Sequence, residues 1–108
     1  MAQAPTNPAA EKRHVPDNFE LEPNYPNPFN PSTTITYGLP EQAEVTVNVY
    51  NILGQNVATL VNQTQTPGRY TARFDAGRLA SGLYIARLTA KGVSGQQFVR
   101  ELKMQLIK

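Results

Sequence analysis

The chain has 108 residues, no cysteine, ten basic and eight acidic side chains, and a net charge of +2. That length bounds it to one domain, and the missing cysteine excludes a disulfide scaffold, a thiolate metal site and a cysteine nucleophile. Nearly balanced charge, with no basic stripe interleaved with aromatics, argues against nucleic acid as a partner.

Residues 1–18 carry Pro5, Pro8 and Pro16 and the charged patch Glu11-Lys12-Arg13-His14. Nothing there is periodic, so the segment reads as a flexible linker. The only histidine, His14, lies inside it and reads as a solvated side chain, neither ligand nor catalyst. The first sixteen residues hold no apolar core of a signal peptide. No run of the sequence approaches the roughly 18–20 apolar residues of a membrane span. The chain is therefore expected to be a piece of a longer polypeptide whose export signal lies elsewhere.

The run Asn24-Tyr25-Pro26-Asn27-Pro28-Phe29-Asn30-Pro31 forbids helix and central strand alike. Each proline fixes φ and lacks an N–H, and it pushes its predecessor towards extended geometry. Asn suits those positions because its amide imitates nearby backbone. The two aromatics, Tyr25 and Phe29, are expected to be pinned onto a β-domain that begins at Thr33.

From Phe19 onward short strands alternate with turn signals. Residues 33–39 place Ile35, Tyr37 and Leu39 on one face, and Pro40 stops the run. Residues 44–51 set Val45, Val47 and Val49 against Thr46, Asn48 and Tyr50, a period of two that suits a half-buried strand. A turn at Asn51-Ile52-Leu53-Gly54-Gln55 needs a positive φ, which Gly54 supplies. Residues 56–62 make a less regular strand, and 63–66 a polar loop closed by Pro67-Gly68. Residues 69–75 turn Tyr70, Ala72 and Phe74 inward. The segment 76–82 crosses between sheets, 83–90 is a strand, and 91–95 is a hairpin loop. In the last strand, 96–107, the inward positions Phe98, Leu102, Met104 and Leu106 share parity with Arg100. That arginine demands either a bulge or an exposed edge.

Six or seven strands, regular turn signals and no helical periodicity predict an all-β fold. The expected architecture is an immunoglobulin-like antiparallel β-sandwich of about seven strands over 19–108, with a closed barrel as the competing form. Catalytic chemistry finds no foothold. The acidic residues are scattered, there is no phosphate loop or histidine pair, and Ser81-Gly82 reads as a tight turn. No catalytic residue, cofactor or metal ligand is assigned. Scattered Asp and Asn oxygens could serve a calcium ion, but no spacing singles one out.

Four segments in series resemble one family. They are Asn24-Tyr25-Pro26-Asn27-Pro28-Phe29-Asn30-Pro31-Ser32-Thr33-Thr34-Ile35, Val49-Tyr50-Asn51-Ile52-Leu53-Gly54-Gln55, Leu79-Ala80-Ser81-Gly82-Leu83-Tyr84 and Lys103-Met104-Gln105-Leu106-Ile107-Lys108. Together they resemble the type A C-terminal sorting domain of the type IX secretion system. The resemblance implies a β-sandwich carried behind an N-terminal cargo domain in the same polypeptide. It implies passage through an outer-membrane translocon and, in many members, removal by a sortase-like peptidase with attachment at the cell surface. Such a domain is a label and a substrate, secreted or held at the cell surface of a Gram-negative bacterium.

Carried over residue by residue, recognition by the translocon falls on Lys103, Met104, Leu106, Ile107 and Lys108 of the last strand. It also falls on Gly82, Tyr84 and Arg87 of the strand before it. The cleavage region falls on Pro16, Asp17, Asn18 and Phe19. If the last strand is a sheet edge, its unpaired N–H and C=O groups could add to a receptor strand, with Lys103 and Lys108 discouraging uncontrolled pairing. The alternative function is a carbohydrate-binding or adhesive sandwich. It predicts Tyr50 and Tyr84 exposed together on one sheet.

Overall fold

The computed structural model describes residues 15–108, so His14 and the linker up to it lie outside the described residues. Seven strands follow one another: β1 (Glu20–Leu21), β2 (Ser32–Leu39), β3 (Ala43–Tyr50), β4 (Asn56–Gln65), β5 (Gly68–Asp75), β6 (Gly82–Gly92) and β7 (Gln97–Leu106). They form two antiparallel sheets, ordered β1-β2-β5 and β4-β3-β6-β7. The expected sandwich is the observed one, and the segment after β5 does cross from one sheet to the other.

The core lies between the inner faces. Ile35, Tyr37 and Leu39 of β2 and Tyr70, Ala72 and Phe74 of β5 face inward. Val45, Val47 and Val49 of β3 and Ala86, Leu88 and Ala90 of β6 meet them, all of these residues being buried. Burying one large aliphatic or aromatic side chain contributes about 1.5–3 kcal/mol, so strict alternation on four strands sets register strongly. Within one sheet Tyr37 stacks on its cross-strand partner Tyr70 at 5.6 Å, while Phe74 lies 5.8 Å from Phe29 and reaches across to Tyr84 of the other sheet at 6.4 Å.

Three local expectations need correction. The strand read as 56–62 runs on to Gln65, because polar 63–65 continue the ladder with β3, where Ala43 opposes Gln65. Two register shifts in that ladder explain its irregular sequence, since each extra residue breaks the alternation. Gln65 is buried and accepts the Tyr37 hydroxyl at 2.6 Å. Second, the β-structure begins before Thr33: two residues of β1 pair with Tyr37 and Gly38. Third, only one aromatic of the proline run is pinned. Phe29 is buried, whereas Tyr25 is 80% exposed. Its backbone pairs with Thr34 through bonds of 2.9 and 3.0 Å. Directly opposed residues share a face, and Thr34 lies on the outward one. Asn24 takes the inward place instead and donates to Thr33 Oγ1 at 3.0 Å.

A candidate recognition surface at the C-terminal strand

Strand β7 is an edge of the four-stranded sheet. It pairs with β6 without interruption from Lys91↔Gln97 to Gly82↔Leu106. No bulge therefore resets its register, and Arg100 resolves as the exposed-edge case. Its guanidinium lies 4.6 Å above the Phe98 ring and donates to the Val99 carbonyl at 3.0 Å. Phe98 also stacks with Phe19 at 5.5 Å.

The outer side of β7 divides into two halves. Along the C-terminal half the proline run takes the place of a neighbouring strand. Asn27 Nδ2 donates to the Lys103 carbonyl at 3.2 Å, while Asn27 Oδ1 accepts from the Gln105 amide at 2.9 Å. Two residues on, the Phe29 amide donates to the Gln105 carbonyl at 2.9 Å, and the Ile107 amide donates to the Phe29 carbonyl at 3.0 Å. A side-chain amide thus acts as one peptide unit of a strand, and Phe29 supplies the next as a parallel bridge. Along the N-terminal half, Val99 and Glu101 have no neighbouring strand on that side among the described residues. The edge is thus free only in part.

The predicted recognition residues separate by face. Tyr84, Met104 and Leu106 are buried, with Met104 directly opposite Tyr84. The Tyr84 hydroxyl donates to the Ala80 carbonyl at 2.6 Å. Gly82 stands at the entrance to β6 with φ of +151°, a backbone region only glycine adopts readily. Arg87, Lys103, Ile107 and Lys108 are exposed. Arg87 pairs across the strands with Glu101 at 2.8 Å and sits 5.2 Å over the Tyr50 ring. The hydrogen bond and charge of Glu101 raise the guanidinium pKa further above its ordinary value. Lys108 is tied down at both ends: its amide donates to Ser81 Oγ at 3.1 Å and its Nζ to the Gly77 carbonyl at 2.7 Å.

Of the predicted cleavage residues, Pro16 and Phe19 are buried and Asp17 and Asn18 exposed. Pro16 packs on Gly38 so closely that a Cβ there would lie 2.6 Å from its Cγ. Pro16 is therefore already packed against the sandwich, three residues before Phe19. Tyr50 and Tyr84 point to opposite faces of their sheet, so the paired platform needed for sugar stacking is not formed. Among the described residues no three or more of His, Cys, Asp and Glu are placed to hold a metal ion. Sequence reasoning missed Asn27 and Ser81, whose partners lie 76 or 78 and 27 residues away in the chain. Only the unusual density of Asn before Pro hinted at the first.

The family model described as the secretion system C-terminal sorting domain matches residues 24–100. The chain belongs to the type IX secretion C-terminal sorting domain family. The sorting domain's match includes the proline run, the Gly54 turn and most of β6–β7, and it stops before Lys103. Among solved structures, the crystal structure of CopC from Methylosinus trichosporium OB3b is similar in fold. Its TM-score is 0.56 at 15% identity, covering 82% of this chain and 93% of that one. At that identity the likeness concerns the sandwich alone. No curated protein sequence matches the chain. Membership makes the domain a type IX sorting signal, which implies a cargo in the same polypeptide and export across the outer membrane. No helix among the described residues is long and apolar enough to cross a membrane.

Proposed function

We propose that the type IX translocon reads this domain in its folded form, at the C-terminal end of β7 and the adjoining start of β6. The observation that carries this reading is the exposure of Lys103, Ile107 and Lys108 at the end of β7, where Asn27 and Phe29 already fill the backbone edge and leave the side chains as the accessible groups. Arg87 presents a fourth outward group one strand inward. Tyr84, Met104 and Leu106 act from beneath by fixing the register that sets those outward groups, and Gly82 provides the turn into β6. The domain serves as a ligand and has no chemistry of its own. The ion pairs among the described residues, Arg87–Glu101 and Arg69 with Glu20 and Glu22, lie on the surface.

Separation from cargo belongs to a sortase-like peptidase acting near Pro16, Asp17, Asn18 and Phe19. Because Pro16 and Phe19 are packed, a cut inside that stretch first requires it to peel away from Gly38 and Phe98.

The test is export of a fluorescent reporter fused ahead of the domain in a host with this system. Deleting Lys103 through Lys108 abolishes export, as does the combined variant Lys103→Glu, Ile107→Ser, Lys108→Glu. The second variant keeps the core residues Met104 and Leu106, so its failure is not a failure to fold. Normal export of that variant overturns the reading.

A further inference from the structure

The turn joining β3 to β4 presents two large aliphatic side chains to water, Ile52 at 73% and Leu53 at 76% exposure. It is not a loose loop. Asn51 Oδ1 accepts from the Leu53 amide at 2.9 Å and the Gln55 amide at 3.0 Å, and Asn51 Nδ2 donates to Gln55 Oε1 at 2.7 Å. Backbone bonds Asn51 N to Gln55 O and Gly54 N to Asn51 O, both 3.0 Å, close it, with Gly54 at φ +82°. Single exposed hydrophobes are ordinary on a protein surface. An adjacent pair on a turn held by this many hydrogen bonds is different, because its ordering cost is met before any partner arrives.

Beside the turn lies an open depression of about 490 Å³ on the outer face of the four-stranded sheet. Tyr50, Ile52, Leu83 and Ile85 line it, and the Arg87–Glu101 pair forms its polar wall. That pair is neutral as a unit and stacked on Tyr50, so the tyrosine face is already covered and offers no sugar platform. Among the unpaired charges at this end, cations outnumber the carboxylate of Asp75. Lys103 lies directly across from Ile85, and Arg78 and Lys108 stand at the same end of the sandwich. All three are exposed, and none has an ion-pair partner among the described residues.

We propose that this depression and the Ile52–Leu53 tip are a docking site for an aliphatic side chain carried on an acidic segment of a partner protein. The aliphatic group enters between Ile52, Leu83 and Ile85. A neighbouring carboxylate on the partner pairs with Lys103, which is desolvated as the tip is covered. The tip in turn inserts into an apolar recess of the partner. Aliphatic anchor and uncompensated cation together specify the chemistry: an uncharged apolar partner leaves Lys103 buried and unpaired, which costs binding.

The inference rests on the reading above for the choice of probe, the purified outer-membrane translocon. Binding of the full 108-residue chain is measured against it by surface plasmon resonance, beside Ile52→Ser/Leu53→Ser and Lys103→Glu. Vesicles with one-third anionic lipid serve as a second probe. Both variants are expected to bind the translocon at least about tenfold more weakly, with unchanged thermal midpoints. Lys103→Glu should also flatten the salt dependence. Wild-type binding that Ile52→Ser/Leu53→Ser does not weaken, whatever Lys103→Glu does, overturns this proposal, and a loss confined to Lys103→Glu leaves the reading above standing. Binding to vesicles that needs Ile52 and Leu53 assigns the site to a membrane and overturns it as well. No wild-type binding to the translocon overturns both.

Discussion

Asn27 and Gln105 are joined by a hydrogen bond of 2.9 Å across 78 residues of chain, and the same Asn27 amide holds the Lys103 carbonyl at 3.2 Å. One side chain thereby seals the outermost part of the last strand. Replacing it with alanine removes both bonds and leaves Phe29 in place. Asn27→Ala should cost about 1–2 kcal/mol, roughly 4–15 °C in midpoint for a domain this size. Amide exchange should rise at Gln105 and stay slow at Ile107, whose acceptor is Phe29. Equal acceleration at both amides would show that the cap acts as one unit, contrary to this assignment.

Phe29 does two things at once. Its ring is buried against Phe74 and its backbone bridges Gln105 and Ile107. Phe29→Ala should destabilise the domain by about 3–5 kcal/mol in denaturant titration, while Phe29→Leu loses less than about 1.5. An alanine variant within 1 kcal/mol of wild type, roughly, would mean that the proline run is not part of the packed core.

Tyr37 donates at 2.6 Å to Gln65 Oε1, while Gln65 Nε2 is buried without a partner. Burial, the largest cause, pushes the phenol pKa well above its ordinary value, and the Gln65 bond only partly opposes it. The sign follows directly. Below pH about 10 both states hold the proton and the contribution is intact. Above it the unfolded chain ionises first, so stability falls as pH rises, by at most about 1.4 kcal/mol per pH unit from this group. Tyr37→Phe should lose about 1–3 kcal/mol near neutrality and show a shallower decline between pH 10 and 12. Parallel alkaline slopes for the two proteins would contradict this.

Gly38 leaves just enough room for Pro16, since an added Cβ would lie 2.6 Å from the ring. Gly38→Ala should displace Pro16 and loosen the stretch through Phe19, with little effect on β2 itself. Limited proteolysis reads this: bonds within 16–19 resist in wild type and are cut several-fold faster in the variant. Unchanged protection would mean that Pro16 is held by something other than this contact.

Much of the sandwich was legible because its strands alternate strictly. Val45, Val47 and Val49, and Tyr70, Ala72 and Phe74, announce both period and buried face, and Gly54 announces its turn. Other features were hidden for stateable reasons. Strand β1 is two residues long, too short to show a period. The tail of β4 is polar, with Asn62, Gln63 and Thr64 exposed and Gln65 buried on Tyr37, and the bulges over residues 56–61 erase alternation before it. Tyr25 looked like an anchor by residue type, but its pairing partner Thr34 decides its face. The candidate site was legible as a set of residues and not as an arrangement. That Tyr84, Met104 and Leu106 lie beneath while Arg87, Lys103, Ile107 and Lys108 face outward depends on strand pairing. The seal supplied by Asn27 depends on a contact no local pattern encodes.

The most direct test of a folded, outward-facing signal separates surface from core within the last six residues. Extracellular reporter fluorescence is measured for wild type, for Lys103→Glu/Ile107→Ser/Lys108→Glu, and for the conservative pair Met104→Leu/Leu106→Met. The surface triple variant should fold with a near-native midpoint and leave the reporter inside the cell, while the core swap is exported normally. Export of the folded triple variant at wild-type level would contradict recognition at this end of β7.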